Sequence, residues 1–169
     1  MRPAVDNTLM IALWLEDRAR EDQVRLSPQH LHQLLYLLQT IYALDFKGQM
    51  LMPAQFVAFK DGVREPTLYA VMSELNFFDD PLPLPAQILQ FLEQFWAKFN
   101  EKSEAMLIKE IKKHPPYDQA ISKGTGALIA FEEIAEHARQ HKISTHVKVA
   151  DGRKLPRWTP ERHLAAAKS

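Results

Sequence analysis

Between Leu31 and Tyr42 apolar residues recur at spacings of three and four: Leu31, Leu34, Leu35, Leu38, Ile41 and Tyr42. That period is the signature of one apolar helix face. Ser27-Pro28 gives it a start, with Ser as cap and Pro at the first helical position, where no hydrogen bond is lost. The helix is expected to end before Gly48 and to form the centre of the core. An earlier helix carries Leu9, Ile11, Ala12, Leu13 and Leu15, with Asp6 or Asn7 placed to cap it and Arg18 and Arg20 near its C-terminal end. Residues 20–25 are polar and read as a connector.

After Gly48 the pattern changes. Met50, Leu51, Met52, Phe56, Val57 and Phe59 are apolar without a long helical period. Pro53 is read as opening a short helical turn. Asp61-Gly62 is a turn signal that suits a small hairpin over 56–65. Pro66 then opens a short helix with Leu68, Tyr69, Val71, Met72 and Leu75. A Pro-rich joint follows at 79–85, where three prolines in five residues favour extended chain. Ile88, Leu89, Leu92, Phe95, Trp96 and Phe99 mark a strong amphipathic helix. Ser103 is placed to cap another, holding Met106, Leu107, Lys109 and Ile111, which His114-Pro115-Pro116-Tyr117 stops. Residues 122–126 read as a loop. Leu128, Ile129, Phe131, Ile134, Ala135 and Ala138 make a last firm helix. Beyond His141, Val147-Lys148-Val149 reads as a short strand or a loop, Asp151-Gly152 as a turn, and 158–169 as a loose terminal helix. The fold class is mainly α: a single compact helical domain of about six to seven helices with a small hairpin near residues 56–65. It spans 1–141, and a tail covers 142–169.

Composition changes this picture in two places. The 169 residues include no cysteine, which excludes disulfides, thiol chemistry and Cys-based zinc sites. That fits a reducing compartment, and a cytoplasmic location is expected. No apolar run approaches the roughly 20 residues that span a bilayer, so no membrane association is expected. The stretch 9–15 runs into Glu16 and Asp17 and lacks a small-residue cleavage site, so it reads as a helix and not a signal peptide. The net charge of zero is unevenly spread. Residues 139–169 hold eight Lys/Arg against two Asp/Glu, leaving an acidic body and a basic C-terminal end. Such asymmetry suits a tail lying on its own body, or an arm for nucleic acid or an acidic partner.

No catalytic constellation emerges. His30 and His32 are two apart and point to different sides of a helix. His137 and His141 have the four-residue spacing of helical ligands, but no His-Glu-x-x-His pattern surrounds them and no third ligand is visible. They read instead as exposed groups near a helix end, and His114 as a helix-terminal residue. The acidic pairs Asp79-Asp80 and Glu132-Glu133 diverge in space as sequence neighbours and do not make an acid/base pair. Residues 122–126 resemble half of a phosphate loop, without its Gly-Lys-Ser/Thr. Phe91, Phe95, Trp96 and Phe99 read as core. Phe77-Phe78, beside an acidic turn, is harder to bury and suits an exposed apolar patch. Neither a metal nor a cofactor is expected, nor an enzyme.

One stretch carries a resemblance. The helix reads Leu31-His32-Gln33-Leu34-Leu35-Tyr36, and residues 58–69 read Ala-Phe-Lys-Asp-Gly-Val-Arg-Glu-Pro-Thr-Leu-Tyr. Together they resemble the Panacea domain, the family of SocA-like antitoxins and phage-associated proteins. Its usual motifs are Leu-Gln-Lys-Leu-Leu-Tyr and Ala-Trp-x-Tyr-Gly-Pro-Val-Val-Pro-x-x-Tyr. Ala58, Gly62, Pro66 and Tyr69 are kept without a gap. Gln33 stands for the family's Lys, Phe59 for its Trp, Asp61 for its Tyr, and Val63-Arg64-Glu65 for Pro-Val-Val. The later order of helices, with His114, Tyr117 and a final helix at 126–140, is similar too, so the resemblance covers about 5–141. It implies an antitoxin of a toxin–antitoxin system, neutralising a cognate protein toxin by direct binding and in some members handing it to a protease complex as an adaptor. No catalytic residue carries over. The candidate partner-binding residues are Lys60, Asp61, Arg64, Glu65 and Tyr69, around the central turn. Two other readings remain: a DNA- or RNA-binding regulator using the basic tail, although no helix-turn-helix signature is present, and a phage-associated interaction protein without a toxin partner.

Overall fold

A computed structural model of the chain describes residues 1–72, 83–141, 146–148 and 154–156. Each helix begins where side-chain chemistry can satisfy its first N–H groups. Asn7, not Asp6, caps α1 (Thr8–Glu21), its Oδ1 accepting from the Leu9 amide at 2.9 Å. Ser27 caps α2 (Pro28–Asp45) by accepting from the His30 amide at 3.0 Å, with Pro28 in the first turn. The chain then makes a hairpin, β1 (Phe56–Phe59) and β2 (Gly62–Arg64), joined by Lys60 and Asp61. Pro66 opens α3 (Pro66–Met72). Beyond the undescribed residues come α4 (Ala86–Phe99) and α5 (Glu104–Lys112), the latter capped by Ser103. The described fold is mainly α, with seven helices and the hairpin at the expected place.

Three local expectations change. Pro53 opens no helical turn; residues 53–55 lead directly into β1. Pro115 and Pro116 end one helix and also begin another, α6 (Pro115–Lys123). Both rings sit in its first turn, where the missing N–H costs nothing. Residues 127–129 are not the start of the last helix but a strand, β3 (Ala127–Ile129), antiparallel to β1 on the side away from β2. α7 (Phe131–Gln140) follows it at once. Within the tail, β4 (His146–Lys148) pairs antiparallel with β5 (Lys154–Pro156). Phe77, Phe78, most of the Pro-rich joint, the 151–152 turn and the 158–169 helix lie outside the described residues.

The core is built around α2. Residues 31 to 40 are all buried, so this helix is enclosed on every side and not along a stripe. α7, α5, α1 and the hairpin pack on it. Trp96 and Phe91 of α4 close a second wall, Phe91 edge-on to Tyr42 at 5.2 Å. Asp22 ties α1 to α4, accepting from the Trp96 indole N–H at 2.7 Å and from Arg18 at 2.6 Å. These bonds hold the Asp22 carboxyl below its ordinary range, the indole contributing most.

Candidate functional site

Full enclosure of α2 puts His32, Gln33, Gln39 and Thr40 inside, where polar atoms need partners. Three of the four find them on the chain that follows. The Gln39 side chain accepts from the amides of Leu51 (3.0 Å) and Met52 (3.2 Å) and donates to the Met52 carbonyl (3.0 Å). Gln33 accepts from the Val63 amide at 3.0 Å and donates to the Val63 carbonyl at 3.1 Å. His32 Nδ1 accepts from the Glu65 amide at 2.9 Å. That Nδ1 therefore carries no proton, and burial, followed by the nearby Arg64 charge, lowers the His32 pKa. α2 thus acts as a template that fixes residues 51–65 residue by residue.

The close approach explains Gly62. It has φ +120°, and a Cβ there would collide with the Gln33 amide. At the turn above it, Asp61 Oδ2 accepts from Gln29 Nε2 at 2.9 Å and from Arg64 at 3.2 Å. The Gln29 bond is the main cause holding the Asp61 carboxyl below its ordinary range. The Arg64 guanidinium also lies 4.4 Å above the Phe59 ring. Tyr117 of α6 donates its hydroxyl to the Phe59 carbonyl from below.

The five residues chosen from the sequence divide. Lys60 and Asp61 are exposed, Arg64 is half-buried, and Tyr69 is 61% exposed. Tyr69 lies 6.1 Å from the His32 ring. Glu65 is a correction: it is only 3% exposed. Its carboxylate accepts from the Leu68 amide and, at 3.4 Å, from the Gln55 amide, so it caps α3 while Pro66 supplies the first helical residue. A side chain spent on two backbone amides inside the fold is not offered to a partner. A cleft of about 330 Å³ opens on the far side of this cap, lined by Asp6, Thr8, Pro53, Glu65 and Thr67 among others.

A second polar group escaped sequence reasoning. His114, the residue that caps α6, reaches Tyr36 of α2, with Tyr36 Oη 2.6 Å from His114 Nδ1. Its ring stands edge-on to His137 of α7 at 4.9 Å, and His137 touches His141 at 4.1 Å. The 137/141 spacing was a usable signal; the 23 residues separating His114 from His137 hid the third member. Rings packed against one another do not converge on a common point, and no group of three or more ligating side chains among the described residues is placed to hold a metal. No described helix is long and apolar enough to cross a membrane. No family model, curated protein or solved structure matches the chain.

Proposed function

We propose that this protein is an antitoxin that neutralises a cognate protein toxin by direct contact through Lys60, Asp61, Arg64 and Tyr69. The observation that carries the reading is the build of residues 58–69. Three of the four positions shared with the Panacea motif in this segment have a physical task here. Gly62 admits the Gln33 amide, Pro66 begins α3, and Tyr69 is left projecting at 61% exposure near the His32 ring. Tyr and Arg are among the residues that most often dominate binding energy at protein interfaces. The ion pair of Asp61 with Arg64 and the stacking of Arg64 on Phe59 hold that charge in place before a partner arrives, which lowers the ordering cost of binding.

Co-expression with the product of the adjacent gene tests this. The toxin should arrest growth alone, be silenced by this protein, and co-purify with it. Tyr69→Ala with Arg64→Ala should weaken the complex by roughly a hundredfold or more while leaving the fold intact. A neighbouring product that is harmless alone, or full neutralisation by the double variant, defeats the proposal.

A further inference from the structure

The Tyr36–His114–His137–His141 group has no part in the binding surface, and its chemistry is distinctive. Three elements meet in it: the middle of α2, the start of α6 and the C-terminal half of α7. Tyr36 is fully buried, and burial raises its pKa, so its hydroxyl keeps its proton. With the His114 hydrogen on Nε2, Tyr36 donates to Nδ1. A proton placed there removes that acceptor from the Tyr36 hydroxyl, and puts a charge edge-on against a second imidazole. His141, at the exposed end, differs. Its Nδ1 lies 3.1 Å from the His137 carbonyl, which can only accept, so this nitrogen carries hydrogen in either charge state.

Groups able to neutralise an imidazolium are few around the cluster. On α7, Glu133 is near enough to act on Tyr36; its Oε1 is engaged by Lys123 at 3.4 Å, and its Oε2 is buried without a hydrogen-bond partner among the described residues. On α6 the facing group is Tyr117, itself committed to the Phe59 carbonyl. On α5, Lys113 precedes His114 and pairs with Glu110. The charges that act on His114 are those of His137 and His141, both of them unfavourable to its protonation. Burial and the two neighbouring imidazoles resist a proton on His114.

We propose that the His114–His137 contact is an acid-opened latch, which holds the C-terminal half of α7 on α2 and on the start of α6 while both rings are neutral and releases it when they are protonated. Release exposes the imidazoles to water and frees the contact of Ala135 and Ala138 with the core. It is a local event, because the Asn7, Ser27 and Ser103 caps and the wall formed by α4 lie elsewhere. The proposal does not depend on the antitoxin reading.

Amide hydrogen exchange of the full chain, corrected for the intrinsic pH dependence of exchange, tests it. Burial first, then His137 and His141, pushes His114 down from 6.5 to about 4. Between pH 7 and pH 5, opening of α7 should therefore rise roughly twentyfold from His114 alone. Amides of α4 should remain better protected than those of α7 at both pH values. His137→Gln, at a half-buried site, should flatten the response of α7, and His114→Gln should flatten it further. Should His114→Gln fail to fold, shown by loss of α4 protection, His137→Gln decides. Protection of α7 equal to that of α4 at pH 5, or an α7 response unchanged in His137→Gln, overturns the latch.

Discussion

Two sets of buried polar contacts grip the same helix, and they are made of different chemistry. On one side of α2, Gln33 and Gln39 engage the 51–63 chain through carboxamides. Between them on the helix, Tyr36 engages α6 through an imidazole, which in turn packs on α7. Both arrangements satisfy groups that would be costly to leave unpaired in a core. A carboxamide has the same donors and acceptors at every pH; an imidazole does not. One set is therefore a fixed mount and the other a conditional one. His32 is the single imidazole in the fixed set, and it sits at the far end of the segment, on the Glu65 amide.

The comparison can be broken most directly at Gln39. Gln39→Leu keeps the volume and strands two buried amides and one carbonyl, so unfolding in urea should show a loss of about 4 kcal/mol. If the mount is fixed, the loss is the same at pH 7 and pH 5; a loss that varies with pH would merge the two sets into one.

Acid is the second probe. His114 has a lowered pKa in the fold, so the unfolded chain binds the proton first. Stability is complete above about pH 6.5 and falls as the pH drops toward 4, by up to about 3 kcal/mol at the low end. His114→Gln, whose carbonyl can still accept from Tyr36, should remove most of that slope in a series of denaturation midpoints. What remains belongs to His30, His32 and His137, which burial also lowers.

A smaller effect separates packing from protonation on the α7 side. Gly48 has φ +87°, and a Cβ there would meet Arg139 Nε at 3.0 Å and the Ala135 carbonyl at 3.1 Å. Gly48→Ala should cost about 1–2 kcal/mol from the left-handed backbone. Measured by thermal unfolding, the cost should be equal at both pH values, since no imidazole is touched.

What was legible in the sequence was local. The caps at Asn7, Ser27 and Ser103 and the period of α2 act over a few residues, and the structure repeats them. The Asp61-Gly62 turn was equally readable because its signal lies in two adjacent residues. β3 was hidden because a strand of three residues has no period, and its partner lies about 70 positions earlier. α6 was hidden because Pro115-Pro116 signals an ending more loudly than a beginning. The candidate surface was read through charge alone. Charge did not reveal that Glu65 turns inward, since capping by Glu requires knowing where the Leu68 and Gln55 amides fall. Gln33 and Gln39 passed as ordinary polar positions, because only enclosure of the whole helix turns them into buried groups that need partners.

The Gln33 contact also bears on how this protein avoids its own kind. β2 is an outer strand, and outer strands invite pairing with other chains through unmet N–H and C=O groups. The Val63 groups that would make such an invitation are already taken by a side-chain amide, which is chemically a peptide bond borrowed from a helix. On that flank the three-stranded sheet ends as though a fourth strand, one residue long, had been laid beside it, and growth from β2 into a larger assembly is blocked from within the fold.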